Sequence, residues 1–275
     1  MSRLSATFER LQREGACGLF PYLTAGFPDV PTSHALAEAA LDAGADGFEI
    51  GVPFSDPLAD GATLQRANAR ALAGGANLDT ALDLVRTIRR RSSDTPVVLM
   101  SYYNPLRQRG DRQVAADLAA ADADGAIVPD LPPEEASELR AALAEHGLGL
   151  VPMLAPTSPA ARISAVAAWT PAFVYCVALV GVTGARQDLS STLGEFLDRV
   201  RQATPAPLVV GFGISQPEHV RRVAEFGGAG AIVASALADL VEHAEDPVGA
   251  ARAYLADLKA ATQTVGHPAP AATGA

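Results

Sequence analysis

The sequence predicts a single-domain α/β protein folded as a (β/α)8 TIM barrel with one extra helix at its N-terminus. Three observations carry that expectation. Eight short apolar runs recur along the 275 residues, and amphipathic stretches long enough for crossover helices lie between them. Near-continuous apolar strands separated by helices imply a parallel sheet covered on both faces. Eight such units in about 250 residues fit a closed barrel better than an open sheet. Finally, an internal echo appears in AGADGFEIG, ADADGAIVP and FGGAGAIVAS, each passing from small residues through Gly into an apolar run. Gly there is expected to stop a helix and make a tight turn into a strand.

In chain order, Leu4, Phe8 and Leu11 form one stripe of an amphipathic helix within residues 1–15, at the spacing of a helix face. The expected strands are CGLFPYLT (17–24), GFEIG (47–51), PVVLMSY (96–102) and GAIVP (125–129). LGLVPML (148–154), AFVYCVA (172–178), PLVVGFG (207–213) and GAIVAS (230–235) complete the set. Helical periodicity marks 32–43, 78–91, 134–145 and 217–226. Arg86, Arg89, Arg90 and Arg91 fall at the end of the second of these, where cations suit the helix dipole. The barrel is expected to span 1–262, and the Pro-, Ala- and Gly-rich tail 263–275 to be disordered.

Composition narrows the function. With 21 basic and 31 acidic side chains the formal charge is −10. A nucleic-acid binder needs a basic face to neutralise phosphates, so no nucleic-acid or anionic-membrane partner is expected. Cys17 and Cys176 lie far apart, and the five histidines fall singly, so neither a disulfide framework nor a metal site is indicated. No apolar run approaches membrane-spanning length and no signal peptide is present, which predicts a soluble, cytoplasmic protein.

Chemistry in a barrel gathers at the C-terminal ends of its strands. Glu49 stands there between Phe48 and Ile50. Side chains alternate along a strand, so Glu49 faces inward if its neighbours face the helices. A carboxylate in an apolar wall has its pKa pushed upward, which suits a group that gives and then takes a proton near neutrality. A glutamate paired purely for structure fits the same placement. Asp60, in SDPLAD just before a helix starting near Ala62, reads by itself as an N-terminal cap. Asp56 reads as a turn former. Tyr102 with Asn104, then Asp130, follow the third and fourth strands. GVTG (181–184), GFG (211–213) and Ala234 with Ser235 lie at three neighbouring strand ends. Their backbone N–H groups could hold the phosphate of a phosphorylated substrate.

PYLTAGFPD, GFEIGVPFSDPLADG, MSYYNP, PDLPPEE, GVTGAR and GFGIS occur in order and at matching intervals. Together, over about residues 5–260, they resemble the α subunit of tryptophan synthase. That resemblance implies the same barrel and a retro-aldol cleavage of indole-3-glycerol phosphate to indole and glyceraldehyde 3-phosphate. It implies Glu49 as the proton carrier and Asp60 as the acceptor of the indole N–H. Tyr22, Leu64, Met100, Ile127 and Ile232 would wall the indole pocket, and Tyr102 and Tyr175 would reach substrate or carboxylates. Gly184, Phe212, Gly213, Ala234 and Ser235 would surround the phosphate, and Thr183 would bond Asp60 when its loop closes. No metal or organic cofactor is implied in this chain. The implied partner is a pyridoxal-phosphate-dependent β subunit in an α₂β₂ complex, met by Asp56, Pro57, Asn104 and Pro132. Ala62, Ala178, Val180 and Ala234 depart from the family's usual Pro, Ser or Thr, and Gly. Alanine at 234 keeps its N–H, so phosphate binding survives there at negative φ.

Other activities remain open on the residues alone. These are another phosphosugar isomerase or aldolase, a free-standing lyase, or a catalytically silent regulatory barrel. A Schiff-base aldolase needs a lysine on a strand, whereas Lys259, the single lysine, falls in the last helix.

Overall fold

The computed structural model describes residues 2–178, 191–211 and 213–263. Its strands are β1 (Gly18–Thr24), β2 (Phe48–Gly51), β3 (Val97–Met100), β4 (Gly125–Ile127) and β5 (Gly149–Val151). Then come β6 (Met153–Leu154), β7 (Val174–Val177), β8 (Leu208–Gly211) and β9 (Gly230–Val233). All pair in parallel, in the order β5-β4-β3-β2-β1-β9-β8-β7-β6. The expected barrel is therefore present, with one difference in its strand count. The fifth expected strand is split at Pro152, which has no N–H to give to a ladder. Its first half pairs with β4 and its second with β7, so one segment supplies both ends of the sheet and brings them together.

Twelve helices surround the described strands. They are α1 (Arg3–Glu14), α2 (Val30–Asp42), α3 (Ala62–Ala73), α4 (Leu78–Arg91), α5 (Tyr103–Arg109) and α6 (Asp111–Ala120). The rest are α7 (Ser137–Glu145), α8 (Ala160–Ala167), α9 (Ser191–Arg201), α10 (Pro217–Glu225), α11 (Ser235–His243) and α12 (Pro247–Ala260). Arg89, Arg90 and Arg91 close α4, while Arg86 lies before its last turn. No helix among the described residues is long and apolar enough to cross a membrane. Of the expected tail, only Gln263 lies within the described residues.

The strand pleat sorts the apolar side chains into two clusters. Leu19, Phe48, Ile50, Val97, Leu99 and Val210 point outward and pack under the helices. Phe20, Tyr22, Val98, Met100, Ile127 and Ile232 point inward. Leu4, Phe8 and Leu11 of α1 join the inner cluster and plug the N-terminal end of the barrel. The Phe8 ring stands 5.8 Å from Phe20 and 5.7 Å from Phe173.

The internal echo has a physical basis more specific than a turn. Its helix stops are Gly44 at φ 84° and Gly227 at φ 75°, and in the middle copy Asp122 at φ 60°. Aspartate is among the few L-residues that accept the left-handed region. The Gly that opens each strand has another duty: a Cβ at Gly47 or Gly230 would strike the ring of Phe20. Between stop and strand, Asp46 accepts from the Leu19 N–H at 2.9 Å, and Asp124 from the Val97 N–H at 2.8 Å. Each thus ties the start of one strand to its neighbour.

Helix α1 is anchored on these two carboxylates. Arg10 meets Asp46 at 2.7 Å and Arg3 meets Asp124 at 3.2 Å, seven residues being about two helical turns. Lys259 of α12 reaches Asp46 at 2.5 Å and Arg89 of α4 reaches Asp124 at 2.9 Å. Hydrogen bonds to buried charged groups contribute roughly 1.5–3 kcal/mol each. Asp46→Ala should therefore lower the unfolding free energy by about 2–3 kcal/mol. Arg13→Ala, on the exposed side of α1, should stay within about 0.5 kcal/mol. Urea denaturation of the two variants checks this; equal midpoints would show that Asp46 staples nothing.

Candidate active site

Glu49 sits in β2 with Tyr22 and Val98 as its register partners on either side. Phe48 and Ile50 are fully buried under the helices, so alternation turns Glu49 into the barrel. There it lines a cavity of about 130 Å³ at the C-terminal end of the strands. The side chain is 2% exposed, and its Oε2 is buried without a hydrogen-bond partner. Burial, and then the negative charge of Asp60, push its pKa from 4.5 to about 8. At neutral pH the group is mainly a protonated acid.

Asp60 faces the same cavity in different surroundings. It does not cap α3, because Gly61 holds the N-cap position and no side chain bonds there. Its Oδ1 accepts from the Tyr102 hydroxyl at 3.1 Å and its Oδ2 from the Asn68 amide at 3.1 Å. Burial holds its pKa above 3.8 on balance, while these two donors act in the opposite direction and limit the rise. Donors aimed at both oxygens favour the ionised form. Two carboxyl groups thus share one cavity in environments that separate their proton affinities.

The loop carrying Asp60 is held at several points. Tyr102 accepts from the Ala59 N–H at 2.9 Å and stacks on Phe54 at 5.4 Å. Asn68 accepts from the Phe54 N–H at 3.1 Å and donates to the Leu64 carbonyl at 2.8 Å. The Gln65 amide donates to the Asp60 carbonyl at 2.9 Å. Tyr102 itself lies beyond β3, which stops at Met100, and precedes α5 as its N-cap residue. Asn68 was not anticipated. Its signal is a polar amide, 2% exposed, on the buried face that α3 forms with Leu64, Ala67 and Ala71.

Tyr22, Leu64, Met100, Tyr175 and Ile232 line the cavity with the two carboxyl groups. The tyrosine rings fit because neighbouring strands offer glycine: a Cβ at Gly51 would collide with the Tyr22 hydroxyl, and one at Gly211 with that of Tyr175. Burial raises both tyrosine pKa values well above 10.0, so both hydroxyls stay protonated. Ile127, register partner of Met100, is buried in the inner cluster but does not line the cavity. Thr183, Gly184 and Phe212 lie outside the described residues, as does Val180. Asn104 is exposed in α5, and Asp130 accepts from the Tyr103 N–H at 2.8 Å. Asp56 is exposed and bonds Ser55.

The far wall is made of Gly213, Ile214, Ala234 and Ser235. Among the described residues, no lysine or arginine lines it. Gly213 has φ 76°, a conformation that favours glycine. Ala234 has φ −125° and is the N-cap residue of α11, with no side-chain cap. Position 234 therefore does not demand the positive φ that would require glycine, and α11 begins here with the unpaired N–H groups of a helix N-terminus. A larger hollow of about 620 Å³ opens at the opposite end of the barrel beneath α1. Its charged lining is Glu9, which is exposed, and Arg201, which pairs with Asp198. It brings no two reactive groups together, whereas the smaller cavity holds both Glu49 and Asp60.

Comparison with known proteins agrees with this geometry. A family model described as tryptophan synthase alpha chain matches residues 8–265. The alpha chain from Roseiflexus castenholzii is 53% identical over 253 residues, covering 92% of this chain and 97% of that one. That from Chloroflexus aggregans is 49% identical over 267 residues, covering 96% and 100%. The crystal structure of tryptophan synthase subunit alpha from Legionella pneumophila superposes with a TM-score of 0.88 at 35% identity, covering 96% of this chain and 100% of that one. Mycobacterium tuberculosis tryptophan synthase gives a TM-score of 0.88 at 36% identity, with 96% and 99% covered.

The raised Glu49 pKa has a consequence for stability. A carboxyl group with a folded pKa of about 8 against 4.5 binds more protons folded than unfolded between those values. Its stabilising contribution is therefore full below about 4.5 and is lost as pH rises through about 8. Glu49→Gln cannot titrate, so its stability relative to the parent should climb over that window and level off above it. Denaturant unfolding at several pH values measures the difference, expected on the order of a few kcal/mol in total. Parallel curves for parent and variant would contradict the buried acid.

Proposed function

The chain belongs to the tryptophan synthase alpha chain family, a lyase of tryptophan biosynthesis that cleaves indole-3-glycerol phosphate to indole and glyceraldehyde 3-phosphate, and we propose that Glu49 and Asp60 carry that cleavage. The observation that supports this most is the pairing of a protonated Glu49, whose buried Oε2 has no hydrogen-bond partner among the described residues, with a doubly hydrogen-bonded Asp60 in one cavity.

In this mechanism the indole ring lies among Tyr22, Leu64, Met100 and Ile232, with Ile127 behind them and its N–H on Asp60. Glu49 delivers its proton to C3 of the ring, which becomes tetrahedral while positive charge spreads to the ring nitrogen. The Asp60 carboxylate steadies that charge, held in place by Tyr102 and Asn68. Glu49, now ionised, takes the proton of the side-chain hydroxyl. The oxygen's electron pair forms the aldehyde carbonyl, and the C–C bond to C3 breaks. Its electrons restore the aromatic ring, and Glu49 ends protonated as it began. Tyr175 borders the same space. The phosphate is held by backbone N–H groups of Gly213, Ala234 and Ser235. The positive end of α11 faces the dianion and supplies favourable charge where no basic side chain among the described residues lines the cavity.

The partner in this proposal is a tryptophan synthase β subunit that holds pyridoxal phosphate, in an α₂β₂ assembly in the cytoplasm. Leu58, 90% exposed in the loop between Asp56 and Asp60, offers an apolar contact on the face where the strands end. Adding the cognate β subunit should raise turnover, because loop closure completes the site only in the complex. No rise and no co-elution would favour a free-standing lyase.

The roles are tested by substitution. Glu49→Gln should fold but lose at least about 10²–10⁴-fold in turnover, the worth of a positioned acid–base group, while Asp56→Asn stays close to the parent. Circular dichroism and indole release measure the two outcomes. A folded, nearly active Glu49→Gln would make the glutamate structural. Gly213→Asp should raise KM for indole-3-glycerol phosphate far more than it lowers kcat. Normal substrate binding by that variant would remove the phosphate from Gly213.

A further inference from the structure

The turn after β8 is fixed by two side chains that come from outside it. Both backbone polar groups of Ser215 are engaged by them. Its N–H donates to Nδ1 of His219 at 3.2 Å, and its carbonyl accepts from the Tyr254 hydroxyl at 2.9 Å. The Ser215 hydroxyl also lies 3.4 Å from the same Nδ1. His219 stands near the start of α10 and is 7% exposed. Nδ1 accepts only when the ring is neutral with its proton on Nε2. Tyr254 is half-buried in α12.

Ser215 lies two residues beyond Gly213, and Ile214 between them is buried and lines the cavity. A turn that departs from its strand through a left-handed glycine has no ladder of its own to hold it. The other arm of the far wall, Ala234 with Ser235, opens α11. Helix α12 packs on both α10 and α11. The Tyr254 hydroxyl thus connects the Gly213 turn to the helix that also supports the Ala234 arm.

We infer that His219 and Tyr254 are positioning residues for the phosphate end of the site: by holding Ser215 they fix the turn that presents Gly213 to the cavity. This rests on the assignment of the phosphate to Gly213, Ala234 and Ser235. Neither residue touches substrate. Each sets the spacing of the backbone groups that do.

The test uses Tyr254→Phe, which removes one oxygen, with His219→Leu and His219→Asn. Asparagine places its Oδ1 close to where the ring holds Nδ1. Kinetics with indole-3-glycerol phosphate are combined with the inhibition constant of glycerol 3-phosphate and the affinity for indole, which has no phosphate. Tyr254→Phe and His219→Leu should raise KM and the glycerol 3-phosphate constant by about three- to tenfold, the net worth of one hydrogen bond. Turnover and indole affinity should stay near the parent, and His219→Asn should recover most of the loss. Unchanged phosphate affinity in Tyr254→Phe and His219→Leu, beside a weakened Gly213→Asp, would overturn the inference and leave the phosphate site standing. A parallel loss of indole affinity would also overturn it, since that marks general damage. Normal glycerol 3-phosphate binding by Gly213→Asp would instead bring down the phosphate assignment itself.

Discussion

An acidic side chain buried in the apolar interior of the barrel is the constraint around which the rest of the molecule is arranged. Ionising Glu49 in that position means removing charge from water with no donor on Oε2, which the chain avoids by keeping the proton. A flexible wall would let water in and relax the shift. The inner cluster prevents this: Tyr22 and Val98 flank the carboxyl group in register, and Phe8 and Leu11 of α1 close the floor beneath. The staples that bind α1 to Asp46 and Asp124 are remote from the cavity, yet they hold the helix whose Leu4, Phe8 and Leu11 join the inner cluster.

Asp60 shows the complementary solution. It is equally a carboxyl group and only 7% exposed, but Tyr102 and Asn68 supply donors to its two oxygens. The same two residues also hold the loop backbone at Ala59 and Phe54. One pair of side chains therefore sets the place of Asp60 and opposes the burial that raises its pKa. At the other end of the cavity the described lining is Gly213, Ile214, Ala234 and Ser235, so among the described residues no arginine or lysine lines the space that Glu49 faces.

Much of this is legible in the sequence because alternation is a strong rule. Phe48 and Ile50 flanking Glu49 leave it only the inward direction. The eight-fold pattern gives the barrel, and only Pro152 divides one expected strand into two short ones. What escapes is the partner of each polar group. Asp60 before Ala62 has the local form of a cap, and no local rule says that Gly61 takes that position while Asp60 turns inward to Tyr102, 42 residues on. Asn68 hides on a helix face that otherwise reads as core. The glycines at 47 and 230 look like turn formers, yet the space they leave is filled by Phe20 from a third strand. Such features depend on contacts between segments far apart in the chain, and periodicity carries no record of them.

The central claim is that Glu49 enters the reaction as an acid because the barrel keeps it protonated. Infrared difference spectroscopy of the Glu49 carboxyl group, with Glu49→Gln to assign the band, follows its protonation directly as pH is raised. The account predicts a protonated carboxyl band at pH 7 that disappears with a midpoint near 8, and a lower midpoint in Asp60→Asn, where the neighbouring charge is gone. A carboxylate band already complete at pH 6, unmoved by Asp60→Asn, would contradict it.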